Sequence, residues 1–402
     1  MSSQEILNNF KLTIDQSYLR SLLEEMIEIN SIVGNEKNLA IFLAQELQKL
    51  GLAIQLEDVH PNRPNVYAHY SFNEKGRTLT FNGHLDTVDV CKGWSENPFL
   101  PYEKKGALYG LGSVDMKAGI ACELAAIKAL IDSNEKIKGI IHFTAVIDEE
   151  GYGSGSRKML ENPFFGKGKT DGIIISEPFN GSDKEFPLPL GMTGKILYKI
   201  IFTGKSAHAF RPEEGINAID DASNFIASLN DKSPNNSFIL PSDDDFGQGN
   251  ICTLKIDGGY KIYSVVVPDT CEIILNRLLI PGETKDSAIT DIQKFITELN
   301  ISSNVSLEIV PPFYLPYKIT QQESLFLALT NSYNHTLKKN PIIGYKAMIT
   351  DANIFVGEGR IPTVLFGPTG GNIHAADEYV NLSSLEPTAQ ILTQTYLAFQ
   401  EM

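Results

Sequence analysis

The sequence predicts an α/β protein of two domains, a three-layer α/β/α domain interrupted by an inserted ferredoxin-like βαββαβ domain. Three observations point there. Short apolar runs alternate with helical patterns through the first half of the chain. A strand–helix–strand–strand–helix–strand order fills residues 193–310, and the earlier alternation then resumes to the C-terminus. The expected boundaries are therefore 1–192 with 311–402 for the larger domain and 193–310 for the insert. At 402 residues the chain exceeds one ordinary hydrophobic core, which agrees with two.

In chain order, Leu39, Phe42, Leu43, Leu47 and Leu50 recur at helical spacing and Gly51 stops the helix. Strands are expected at 66–69, 78–81, 139–147 and 172–175, with a helical pattern over 117–133. Such interleaving predicts a largely parallel sheet covered on both faces. After the turn-rich stretch 187–191, the insert reads as strand 195–203, helix 216–229, strands 251–256 and 270–280, helix 285–299 and strand 304–310. Pro311-Pro312 is expected to close it. A strand near 362–367 and a helix near 385–399 complete the larger domain.

Composition narrows the function. A charged share of 21% and an apolar share of 42% describe a globular chain rather than a disordered one. The formal charge of −15 repels phosphates, which argues against nucleic acid and anionic membrane surfaces and favours a neutral or cationic substrate. Residues 1–16 lack a basic start followed by an apolar block, so no signal peptide is expected. The longest apolar stretch, 137–147, is interrupted by Lys138 and His142 and falls short of the ~20 residues of a membrane span. Cys91, Cys122, Cys252 and Cys271 form no CxxC pair, which suits packing roles in a reducing cytoplasm.

The candidate metal ligands fall at strand ends. His84 and Asp86 follow the strand TLTF, Glu149 and Glu150 follow IIHFTAVI, and Glu177 follows GIIIS. His374 follows PTVLFG by a short loop, and Asp115 sits in the Gly-rich connection GLGSVDMKAG. Sites in open α/β sheets gather at the carboxyl ends of strands. Each fragment alone has a bland reading, such as a surface pair, a solvated acidic turn or a capping residue. Five loops offering His, Asp, Glu, Glu and His together make a metal-site composition. His142, in mid-strand, reads as structural. Neighbours in extended backbone point oppositely, so of Glu149 and Glu150 one suits a ligand and the other a base facing the substrate. In His84-Leu85-Asp86 the two polar side chains share a face, so Asp86 can orient the imidazole. Asp115, between glycines, can offer both oxygens to two ions.

The motifs GHLDTV, GLGSVDMKAG, DEEGYGSGS, ISEP, GKSAHAFRPEEGINAI and GNIHAADEYV resemble the acetylornithine deacetylase/succinyl-diaminopimelate desuccinylase family of zinc peptidases. That family also includes aminoacylases, dipeptidases and glutamate carboxypeptidases, and the resemblance runs over nearly the whole chain. It implies two Zn2+ ions, replaceable by Co2+ or Mn2+, with His84 and Glu177 on one, Glu150 and His374 on the other, and Asp115 bridging. It implies Glu149 as general base for a metal-activated water, Asp86 as the partner of His84, and an inserted lid domain that forms a homodimer. His208 matches a histidine that reaches the neighbouring subunit's active site, against the plain reading of an exposed turn residue. Arg277 resembles the arginine that grips a substrate carboxylate, a task suited to a bidentate guanidinium. Thr350 lies in a loop similar to one lining the substrate pocket, or else caps a helix.

Departures from the family pattern touch substrate recognition. Val265 stands where an Asn is frequent, and Leu278 is spaced to occupy the usual arginine position. The loop before His374 is richer in small residues than usual. The expected activity is hydrolysis of an N-acyl amino acid in the cytoplasm. A dipeptidase or carboxypeptidase using the same metals is the alternative, and a metal-free scaffold is a more distant one.

Overall fold

The computed structural model describes residues 12–72, 74–133, 135–231, 238–262 and 265–402; the first eleven residues of the N-terminal reading over 1–16 lie outside them. The chain divides into two compact units. The first comprises Met1–Gly191, Ile319–Tyr345 and Thr350–Met402, and the second Met192–Lys318 with Lys346–Ile349.

The first unit opens with helices α1 (Gln16–Glu28) and α2 (Lys37–Lys49), α1 being capped by Asp15, whose Oδ1 accepts the Tyr18 N–H at 3.0 Å. Strands β1 (Ala53–His60), β2 (Arg63–Ser71) and β3 (Glu74–His84) follow, then helix α3 (Ala118–Ile131), β4 (Lys138–Val146), helix α4 (Ser154–Glu161) and β5 (Gly172–Ile175). The second unit supplies β6 (Gly194–Thr203), helix α5 (Ala218–Leu229), β7 (Asn250–Gly258), β8 (Thr270–Leu279), helix α6 (Lys285–Glu298) and β9 (Asn304–Tyr314). The chain then returns to the first unit with helix α7 (Ser324–Leu337), β10 (Thr363–Leu365) and helix α8 (Leu382–Phe399).

The main sheet has the order β1-β2-β4-β3-β5-β10. Pairs β4–β3, β3–β5 and β5–β10 are parallel, whereas β1–β2 and β2–β4 are antiparallel. The expected parallel sheet is thus mixed. Only Pro61 and Asn62 separate β1 from β2, and a parallel crossover needs a dozen residues or more, so the strands form a hairpin. Asn62 adopts a left-handed φ of 61° in its turn.

Helix α3 is buried round nearly its whole circumference and packs against α8 and α1. Its approach to the sheet explains Gly119, because a Cβ there would lie 2.0 Å from the Ser176 carbonyl oxygen. Among the described residues, no helix is long and apolar enough to cross a membrane.

The second unit is a four-stranded antiparallel sheet of order β7-β8-β6-β9. Ile196, Tyr198, Phe202, Ile273 and Leu275 on one sheet face pack with Phe225 of α5 and with Ile292 and Phe295 of α6. Pro311-Pro312 does not end the last strand, which runs on to Tyr314. β9 is an edge strand, where a missing N–H forfeits no ladder bond.

Candidate active site

The four adjacent parallel strands β4, β3, β5 and β10 release their carboxyl ends side by side. His84 is the last residue of β3, Glu149 and Glu150 follow β4, and Glu177 stands two residues beyond β5. All of these, with Asp115 and His374, belong to the first unit.

Asp115 is the centre. Its Oδ1 lies 3.1 Å from His84 Nε2, and its Oδ2 lies 3.2 Å from His374 Nε2. His84 Nε2 is also 3.7 Å from Glu177 Oε1, and His374 Nε2 is 2.8 Å from Glu150 Oε1. Two triads therefore share one carboxylate: His84, Asp115 and Glu177, and Asp115, Glu150 and His374. Within each triad the ligand atoms lie within 4.8 Å of one another. Imidazole nitrogen with carboxylate oxygen suits zinc, and also manganese or cobalt. The donor set fits two divalent ions, one per triad. Glu149 lies near the first triad, grouped with His84 and Glu150.

Asp86 does a different job from the one expected. His84 Nδ1 donates to the backbone oxygen of Asp86 at 2.9 Å, so the peptide carbonyl, not the carboxylate, orients the imidazole. The Asp86 carboxylate instead accepts the Glu149 N–H at 3.2 Å and the Glu150 N–H at 2.9 Å. It ties the turn carrying both glutamates to the strand carrying His84. Asp148 braces the same turn from the other side, its carbonyl accepting from Gly151, Tyr152 and Gly153.

Burial sets the electrostatics of the metal-free site. It pushes Glu149 and Glu177 well above the ordinary carboxylate range, with the charge of Glu177 acting on the first and of Asp115 on the second. Asp86 is pushed up to about 7, chiefly by burial. Burial also opposes the charge on Asp115, but hydrogen bonds from His374 and His84 outweigh it and hold this carboxyl below its usual range. Hydrogen bonds to Asp115 and then Glu150 push His374 up to about 10.

Three further expectations concern recognition. Arg277 is fully buried on the helix-covered face of β8. Its Nη2 donates to Asp291 at 2.8 Å and to Glu283, so the guanidinium is already engaged by two carboxylates. The carboxylate-gripping role expected of it is withdrawn; alternation along the strand puts Leu278, paired with Lys195, on the opposite face. Thr350 is buried, and its Oγ1 accepts the Ala352 N–H at 3.2 Å, a local side-chain turn just before the helical segment Asn353–Glu358. His208, in the second unit, is exposed, and its Nδ1 accepts the Phe210 N–H at 3.2 Å.

Sequence reasoning gave no role to two buried acids beside the site. Glu123 of α3 accepts from Ser176 Oγ at 2.8 Å, directly before Glu177. Glu378 accepts three backbone N–H groups of the Asp115 loop. The only signal for Glu378 was its position four residues after His374. His142 is buried against His69 and Phe165, where burial pushes its imidazole down to about 4 and keeps it neutral. Cys91 is exposed.

Residues 80–398 match the peptidase family M20/M25/M40. A curated relative, the N-formyl-4-amino-5-aminomethyl-2-methylpyrimidine deformylase of Bacillus subtilis (strain 168), is 27% identical over 386 residues, covering 89% of this chain and 88% of the relative. Among solved structures, aminopeptidase PepT from Bacillus cereus ATCC 10987 superposes with a TM-score of 0.77 at 21% identity, covering 97% of this chain and 100% of the other. The Bacillus subtilis YXEP protein, described as a dinuclear metal binding peptidase, gives 0.69 at 15% identity over 96% and 98%.

The titration shifts make a signed prediction for the metal-free protein. Glu149, Glu177, Asp86 and His374 all hold their protons more tightly folded than unfolded. Their contribution is fully present below the unfolded values, 4.5 for glutamate, and is lost as pH rises through the folded ones. Asp115 acts oppositely only below its ordinary value of 3.8; His142 and Lys117, pushed down by burial to about 4 and about 7, oppose the trend within the range but are outnumbered by the raised groups. The melting temperature of metal-free protein should therefore fall as pH rises from about 5 to about 9. Added metal should raise it more at the alkaline end, and a metal-free melting temperature that climbs over this range contradicts the assignment.

Proposed function

Because the chain belongs to peptidase family M20/M25/M40, we propose that it is a deacylase that hydrolyses the N-acyl amide bond of a small amine-bearing substrate at a two-zinc site. Metal-dependent amide hydrolysis is the activity of this family. The observation that supports the two-metal reading is the division of Asp115, one oxygen toward each histidine. His84, Glu177 and Asp115 would hold one ion, and Glu150, His374 and Asp115 the other. When bound, such ions lower the pKa of a water held there and polarise the amide carbonyl.

The chain's own residues supply the proton path and the geometry. Glu149 takes a proton from the attacking water and passes it to the leaving amine nitrogen. Asp86 fixes the backbone of that base and of its neighbour Glu150 through one carboxylate, so base and ligand keep their relative positions. Loss of an acyl group, rather than cleavage between amino acids, is supported by the deformylase among the relatives. The engagement of Arg277 removes the reason for requiring an amino-acid carboxylate on the substrate. The acceptable amines thus include N-acyl amino acids and N-acyl heterocyclic amines alike. The four free cysteines suit action in a reducing cytoplasm.

Metal-reconstituted protein should be assayed on formyl, acetyl and succinyl derivatives of amino acids and of an aminomethylpyrimidine, beside dipeptides. The N-acyl compounds should turn over fastest, and Glu149→Ala should lose ~10²–10⁴ in kcat while keeping both metals. A clear preference for dipeptides overturns the deacylase reading.

The second unit forms a homodimer, and His208 serves the partner's site. The exposed edge strand β7 carries Leu254 and Ile256 to solvent, a surface suited to self-association. Because His208 Nδ1 accepts from Phe210, the other ring nitrogen, Nε2, is the one placed to donate to a developing oxyanion. Mixing inactive His208→Ala and Glu149→Ala proteins should restore activity, since a heterodimer has one site with both groups intact. A monomeric protein, or a dimeric mixture without rescue, refutes the role in trans.

A further inference from the structure

Glu378 has no part in binding or chemistry as described so far, yet it is 2% exposed and carries a charge-bearing group into the wall of the site. Its Oε2 accepts the Gly112 N–H at 2.8 Å. Its Oε1 accepts the Val114 N–H at 2.9 Å and the Asp115 N–H at 3.1 Å. Its own carbonyl accepts the Gly110 N–H at 3.1 Å. One residue thus binds four backbone donors of the loop that presents Asp115. Gly112 takes a left-handed φ of 73°, which helps successive N–H groups converge on one carboxylate.

The other end of this clamp is the His374 segment. Glu378 follows His374 by four residues, and the intervening Asp377 accepts from the Ser95 N–H at 2.8 Å and the Ser95 hydroxyl at 2.6 Å. Asn372 Nδ2 donates across the turn to the Asp377 carbonyl at 3.0 Å. His374 and Asp115, remote in sequence, are brought near by the antiparallel pairing of residues 379–381 with 107–109, and the buried carboxylate at the end of that ladder fixes the Asp115 loop itself. Asp115 must direct its two oxygens to two different triads, so a small rotation of its backbone would spoil both.

We propose that Glu378 is a positioning residue that fixes the bridging Asp115 relative to His374, and so sets the spacing of the two metal subsites. The inference rests on the two-metal reading of those ligands. A plain loop staple would affect stability only; a positioning residue must also change the metals' surroundings.

The test uses Co2+ as the probe on the full chain, comparing wild type, Glu378→Gln and Glu378→Ala. Gln keeps the volume but turns an NH2 toward a backbone N–H, so at most one of the two acceptor positions survives intact. Co2+ affinity should fall ~10–100-fold in Glu378→Gln. The visible spectrum of the bound Co2+ should change, and kcat should fall with KM near the wild-type value. Thermal melts in excess Co2+ establish that the variants are folded. If Glu378→Ala does not fold, the isosteric Gln variant decides alone. Folded variants with wild-type Co2+ affinity and spectrum overturn the positioning role. Wild type that itself fails to bind two Co2+ ions instead overturns the two-metal reading beneath it.

Discussion

Asp115, Glu149, Glu150 and Glu177 crowd four carboxylates around two imidazoles beside the carboxyl ends of adjacent strands. Two unit charges ~4 Å apart in the effective dielectric of a protein interact by about 4 kcal/mol. Such a cluster is tolerable only if protons or cations neutralise it. Without metal, protons do the work: Glu149 and Glu177 hold theirs well above the usual range, and the histidines stay protonated against Asp115. With two divalent ions the same groups are free to ionise and the histidines to lose their protons, which couples metal affinity to pH.

Mutually repelling side chains also have to be held in place, and here buried carboxylates recur in a second role. Asp86 gathers the N–H groups of Glu149 and Glu150, and Glu378 gathers those of the Asp115 loop. Glu123 takes the hydroxyl of Ser176 beside Glu177, where burial keeps its own carboxyl well above the ordinary range. The parallel order of β4, β3, β5 and β10 brings the loops together; these polar ties set the angles at which the side chains meet. Close backbone packing completes the arrangement, as at Gly119 against the Ser176 carbonyl.

Much of this was legible in the sequence because histidines and carboxylates placed at strand ends leave a positional pattern. His84, Glu150, Glu177 and His374 each follow a recognisable strand, and the structure brings them to one place with Asp115. What sequence could not resolve were matters of one residue or one atom. Whether Asp86 acts through its carbonyl or its carboxylate depends on a local torsion. Arg277 was misassigned because a shift of one position in β8 exchanges the helix-covered face for the other. Glu123 and Glu378 were passed over because an isolated acid in a helix or loop looks like solvated surface until its burial is seen. The extension of β9 past two prolines was missed because its edge position is a property of the sheet, not of the strand.

The central claim is that one carboxylate organises two cation sites. Calorimetric titration of Zn2+ into metal-free wild type and Asp115→Ala protein tests it most directly. Two ions per chain should bind to wild type, and both should weaken together in the variant, because each triad loses an oxygen of the same residue. Binding of a single ion to wild type, or loss of only one ion in Asp115→Ala with the other unchanged, would contradict the shared bridge.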